Sequence, residues 1–118
     1  MEPLNPVSIE AAIRDISDRI AKGVPITSKR YKAFLEADRE FDRAFAAAYL
    51  GAEGSIKDRE MQARLDTLEA REKRDLAEVA YKHADRLAKA LEGELRAMQS
   101  VGASVRAMYG VAGRGEPA

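Results

Sequence analysis

The chain has 118 residues and contains neither cysteine nor tryptophan. Without thiols there is no disulfide framework, no thiolate metal site and no cysteine nucleophile. It also lacks a charge of one sign, because 20 Lys and Arg balance 20 Asp and Glu. That balance excludes an all-over basic coat for nucleic acid and an acidic solvating tail. No apolar run approaches the ~20 residues that span a bilayer. Nothing near the start reads as a signal-peptide core, so the expectation is a soluble, cytoplasmic protein with no membrane attachment. Aromatic residues are only 6% of the chain, and no window alternates β-branched residues at the two-residue period of a strand.

What is present is charge, at 34% of residues, together with Ala and Leu. This is the composition of long, mutually packed helices. The sequence predicts an all-α fold: a helical hairpin or three-helix arrangement with coiled-coil-like packing, built on one very long C-terminal helix. The length suits a single domain, placed at residues 1–109. A first helix is expected over residues 9–22. Pro3 and Pro6 hold the preceding segment extended, Ser8 caps the first turn, and Ile9, Ile13, Ile16 and Ile20 share one face. Gly23 and Pro25 are stop signals. Thr27 or Ser28 then caps a second helix over residues 28–50, whose seam is Tyr31, Phe34, Asp38, Phe41, Phe45 and Ala48. The short link from Gly51 to Gly54 implies a tight hairpin.

The third helix is expected from Ile56 to Met98 or beyond, opened by a capping-box spacing at Ser55 and Asp58. Five acid-to-base pairs stand at i and i+4: Glu60–Arg64, Glu69–Lys73, Glu78–Lys82, Asp85–Lys89 and Glu92–Arg96. Each contributes ~0.2–0.5 kcal/mol, with the acid on the favoured N-terminal side. At 1.5 Å per residue the helix would reach roughly 65 Å, against roughly 35 Å for the second. Simple hairpin geometry brings Phe41 near Leu65, Phe34 near Glu72, and Tyr31 near Leu76. Val79, Ala80 and Ala84 are then left needing cover, along with Leu87, Leu91, Leu95 and Met98. The first helix and a second copy of the chain are the two candidates, so a homodimer or higher homo-oligomer is expected. The candidate partner interface is His83, Leu87, Leu91, Leu95, Met98 and Val105. Residues 110–118 lack periodicity and read as a disordered tail.

Chemistry is sparse. His83 is the only histidine; one imidazole does not make a zinc site, and Val79 and Ala80 stand where a bundle di-metal motif needs Glu. It reads as a partly buried seam histidine, with a pH-sensitive dimer contact as the alternative. Asp38 and Glu72 interrupt their apolar seams and are candidates for acid–base work. The hairpin places Arg71 near Asp38, which favours a register-fixing ion pair. No phosphate-cradling loop is present, and no catalytic, cofactor or metal site is expected.

The best binding candidate is Lys29, Arg30, Tyr31 and Lys32. Three cations in the first turn of a helix oppose its macrodipole. A phosphate held by them and by the free N–H groups would offset that cost, with Tyr31 available to stack on a base. The alternative is a solvated first turn with Tyr31 in the core. The Gly23–Ile26 turn suggests a helix-turn-helix, but the helix after it is too long for one.

Two stretches carry a resemblance: Ala52-Glu53-Gly54-Ser55 followed by Asp58-Arg59, and the run from Leu95 to Arg106. Over roughly residues 41–113 the chain resembles small helical proteins of tailed phages of actinobacteria. The resemblance implies an accessory of DNA recombination or replication in a bacterial host cytoplasm, and it assigns no catalytic residues. The residues and the resemblance together give a non-enzymatic helical adaptor that works through protein–protein contacts. Direct nucleic-acid binding through the basic turn and a phage assembly or scaffolding role are the alternatives.

Overall fold

A computed structural model describes residues 5–115, with side chains through Gly110. The protein is all-α, and no strand occurs among the described residues. Three helices follow one another: α1 (Pro6–Gly51), α2 (Ile56–Asp66) and α3 (Leu68–Gly115). They form two compact units. One comprises residues up to Val24 with those from Arg86 on, and the other spans Pro25–Asp85.

α1 begins with a capping box three residues earlier than expected. Asn5 is the cap: the Ser8 N–H donates to Asn5 Oδ1 at 2.9 Å, and the Asn5 N–H donates back to Ser8 Oγ at 3.3 Å. Pro6 occupies the first helical position, where a missing N–H costs nothing. Ser8 is thus the third helical residue rather than the cap.

The expected stop at Gly23 and Pro25 does not occur, and residues 6–51 form one helix with Pro25 inside it. A proline there removes one backbone donor, crowds the carbonyl four residues back and costs about 3 kcal/mol. Apolar surface on both sides outweighs that cost. Ile9 and Ile16 are buried upstream, and Phe34, Phe41 and Phe45 are half-buried downstream. Pro25 also falls at the boundary between the two units.

The hairpin at residues 52–55 forms as expected. Gly54 has φ +108°, and a Cβ there would meet the Asp58 side chain at 3.1 Å, so glycine is required. Ser55 caps α2: its Oγ accepts from the Asp58 N–H at 3.1 Å, and Asp58 Oδ2 accepts from the Ser55 N–H at 3.3 Å. The i, i+4 pairs Glu60–Arg64 (2.7 Å), Glu69–Lys73 (3.7 Å) and Glu78–Lys82 (2.7 Å) close as expected.

The long third helix breaks once, at Thr67. This residue is only 4% exposed. Its Oγ1 donates to the Ala63 carbonyl at 2.7 Å, and its N–H turns to the Arg64 carbonyl at 3.4 Å. The hydroxyl has taken the acceptor that the helical N–H would use, which is how a mid-helix threonine bends a helix. α3 then continues to Gly115, so residues 110–115 are helical rather than disordered; residues 116–118 lie outside the described part.

Within the Pro25–Asp85 unit, α1 lies against α2 and the first part of α3. The face that meets α1 is made of small residues: Ala63 is fully buried, Ala84 nearly so, and Ala70 and Ala77 half-buried. They receive the bulky side chains of α1, a large-against-small pairing that fills space without strain. Arg74 and Tyr81 are the exceptions; the Tyr81 ring centroid lies 4.8 Å from that of Tyr31 and 6.4 Å from that of Phe34. The register differs from the simple hairpin estimate. Tyr31 meets Tyr81 rather than Leu76, Phe34 meets Tyr81 rather than Glu72, and Phe41 meets Arg74 rather than Leu65. Residues 52–55 and the start of α2 overrun the end of α1 before the chains pair.

In the other unit Ile9, Ile16, Leu91, Gly102 and Val105 are buried. Gly102 lets the two helices approach closely: a Cβ there would stand 3.2 Å from Ile9 Cγ2 and 3.9 Å from Ile13 Cδ1.

Candidate interaction surface

The basic segment changes character once α1 is continuous. Lys29, Arg30, Tyr31 and Lys32 lie more than 20 residues inside the helix, so every N–H there is engaged in the helix. The phosphate-binding helix end that the basic-turn reading requires is not formed. Arg30 is half-buried, and its Nη1 donates to the Ala80 carbonyl at 3.4 Å. Tyr31 is partly exposed but leans on Tyr81. Lys29 and Lys32 face solvent, as does part of the Tyr31 ring, and Arg30 is the one of the four that is not exposed. Arg30 spans the helix pair, and one side of Tyr31 rests against Tyr81 while the rest of its ring is open to solvent.

The predicted seam ion pair forms with a different arginine. Asp38 Oδ1 stands 2.9 Å from Arg74 Nε, one helical turn beyond the expected Arg71, which is exposed. The contact is close but not aligned as a hydrogen bond, leaving Nε without a directed acceptor. The Arg74 guanidinium also lies 5.4 Å from the Phe41 ring centroid, a cation–π geometry. Asp38 is thus engaged across the helix pair by Arg74. Glu72 is exposed and stands on the opposite side of α3.

The residues expected to form a partner interface divide. Leu91 and Val105 are each 7% exposed and belong to the core of their own unit, while Leu95 and Met98 are half-buried. They do not form the exposed apolar strip anticipated for that end. The N-terminal part of α1 supplies their cover, because α1 begins at Pro6 and runs its isoleucine face into the same unit. His83 is exposed rather than partly buried, and Leu87 is half exposed.

In their place α3 presents an outward stripe. Leu68, Leu76 and Val79 are 56%, 63% and 66% exposed, and Glu72 and His83 stand between and beyond them, also exposed. Steps of four, four, three and four place all five on one helical face. This face lies away from the alanine face that meets α1. The steps are readable in the sequence, where Leu76 reads as the core partner of Tyr31 and Val79 as needing cover. α1 chooses the smaller alanines instead, so α3 is apolar on two sides.

A shallow groove of about 330 Å³ lies between α1 and the Thr67 break, lined by Ala37, Glu40, Ala44, Thr67, Ala70 and Lys73 among others. Its one buried polar side chain is Thr67, whose hydroxyl is committed to the Ala63 carbonyl. Among the described residues no cluster of three His, Asp or Glu is placed to hold a metal ion, and no helix is long and apolar enough to cross a membrane. The titration of Glu78 is displaced: hydrogen bonding to Lys82, and then the charge of that ammonium, hold its carboxyl below the usual range. No family model matches the chain, and no curated protein or solved structure is significantly similar to it.

Proposed function

We propose that the protein is a non-enzymatic helical adaptor, a module whose work is protein–protein contact. The observation that carries this reading is the outward stripe of Leu68, Leu76 and Val79, large apolar side chains exposed on a helix whose other face is already satisfied by α1. Large apolar side chains gathered in the open on one face of a folded unit favour a contact site. An amphipathic helix face with i, i+3 and i+4 anchors is a common recognition element. The fold supplies a rigid display for it, since the stripe sits on a helix braced along its opposite side by α1. The resemblance to phage proteins directs the search for partners toward recombination and replication factors; the stripe supports the adaptor reading without it.

The test is a comparison of the wild-type chain with a Leu76→Glu/Val79→Glu variant as bait in expressing cells. A protein retained by the first and lost by the second, then shown to bind as a purified component, is the expected result. Equal retention by both would remove the stripe from the function. Binding of DNA that disappears when Lys29 and Lys32 become Ala would instead revive the nucleic-acid reading.

A further inference from the structure

The outward stripe has an internal symmetry. Glu72, Leu76, Val79 and His83 are separated by four, three and four residues, so their spacing reads the same in both directions along α3. We propose that this stripe is a self-association surface on which a second copy of the chain lies antiparallel, centred between Leu76 and Val79. The inference deepens the adaptor reading, and rests on it, by naming one occupant of the surface.

Two features favour this occupant. First, an antiparallel copy sets Leu76 against Val79 of the second chain twice over, so the most exposed apolar side chains of the stripe cover one another across a two-fold axis. Second, the same operation places Glu72 opposite His83 of the second copy, again twice. An imidazole N–H can donate to a carboxylate whether or not the ring is charged. A parallel pairing would set carboxylate against carboxylate, so the stripe discriminates against that orientation. The steps of three and four are those of a coiled-coil seam, and the pairing needs no rearrangement of the α1 contacts on the far side.

The experiment uses the full chain. Sedimentation equilibrium at tens of micromolar should return a dimer. Leu76→Glu or Val79→Glu should return a monomer with unchanged helical circular dichroism, because both side chains are exposed. Glu72→Lys should weaken dimerisation about tenfold, the effect expected for losing two symmetric contacts of modest strength. Adding His83→Glu to that variant should restore it by exchanging the charges.

Orientation is read by oxidation in a chain that has no native cysteine. A mixture of Glu72→Cys and His83→Cys chains should cross-link between the two variants. Neither variant should cross-link to itself, since identical positions lie eleven residues apart, about 16 Å along the axis. A wild-type monomer at about 100 µM would overturn the pairing, as would self-cross-linking of Glu72→Cys or failure of the charge exchange. Stripe-dependent binding of another protein by such a monomer would leave the adaptor reading standing. Loss of that binding as well would remove both.

Discussion

Gly102 offers a sharp test of how the unit formed by residues up to Val24 and those from Arg86 on is packed. Glycine within a helix costs about 0.5–1 kcal/mol relative to alanine, so replacement in open space is stabilising. Gly93 on the same helix is such a case, since a Cβ added there would meet nothing within 4 Å. At Gly102 the same methyl would stand 3.2 Å from Ile9 Cγ2. Ile9 is 1% exposed and has no free side on which to retreat. Overpacking of this kind costs typically about 1–3 kcal/mol, enough to cancel or reverse the propensity gain.

The expected result is therefore a split. Gly93→Ala raises the urea midpoint by the equivalent of about 0.5–1 kcal/mol, while Gly102→Ala leaves it unchanged or lowers it by up to about 2 kcal/mol. Combining Gly102→Ala with Ile9→Val should recover part of the loss, because it removes a methyl from the crowded side. Urea unfolding followed by circular dichroism reads all of these. Equal stabilisation by both alanines would refute the close approach of the helices at Gly102.

The Thr67 break predicts that Thr67→Val loses about 1 kcal/mol, the net worth of one buried hydrogen bond to the Ala63 carbonyl, while Thr67→Ser retains most of it; unfolding curves for the pair check this. A double-mutant cycle between Asp38→Ala and Arg74→Ala should give a coupling of about 0.5–1 kcal/mol, as expected of a partly exposed ion pair. The cycle between Asp38→Ala and Arg71→Ala should give none, and the reverse pattern would restore the simpler hairpin register. Because Glu78 titrates below its ordinary value, its pairing with Lys82 stabilises the fold above the unfolded-state value and is lost as pH falls through the folded one. Glu78→Gln should therefore flatten that part of the acid limb of a stability–pH profile, and an unaltered limb would count against it.

Much of the architecture was legible in the sequence. The helical class follows from periodicity, the hairpin from Gly54, and the start of α2 from the Ser55–Asp58 box, all of which are local signals. The misses are places where tertiary packing overrode a local signal. Gly23 and Pro25 carry strong stop chemistry, yet apolar faces on both sides of Pro25 carry the helix through it. Thr67 gives no pattern-level warning, since a buried hydroxyl and an exposed one look alike in a sequence.

The choice of seam was the most consequential case. Leucine outranks alanine in any hydrophobicity pattern, so Leu65, Leu76 and Leu87 read as the inside. The phenylalanines of α1 face a side of α3 built mainly of alanine, with Arg74 and Tyr81 as its larger members. The candidate surface followed the same logic. Its spacing was visible, but which way it faced depended on a partner helix about thirty or more residues away in the chain.

The Pro25–Asp85 unit is nested inside the other in chain order, with consequences for folding kinetics. Its two arms are joined by the short link at residues 52–55, so contacts beside that turn close small loops, and Tyr31–Tyr81 follows as the arms pair. The outer unit joins Ile9 to Gly102, a closure that is entropically costly for an open chain but short once the inner hairpin has formed. Assembly should zip outward from the turn. Substitutions at Gly54 should then slow folding, whereas those at Gly102 should chiefly hasten unfolding.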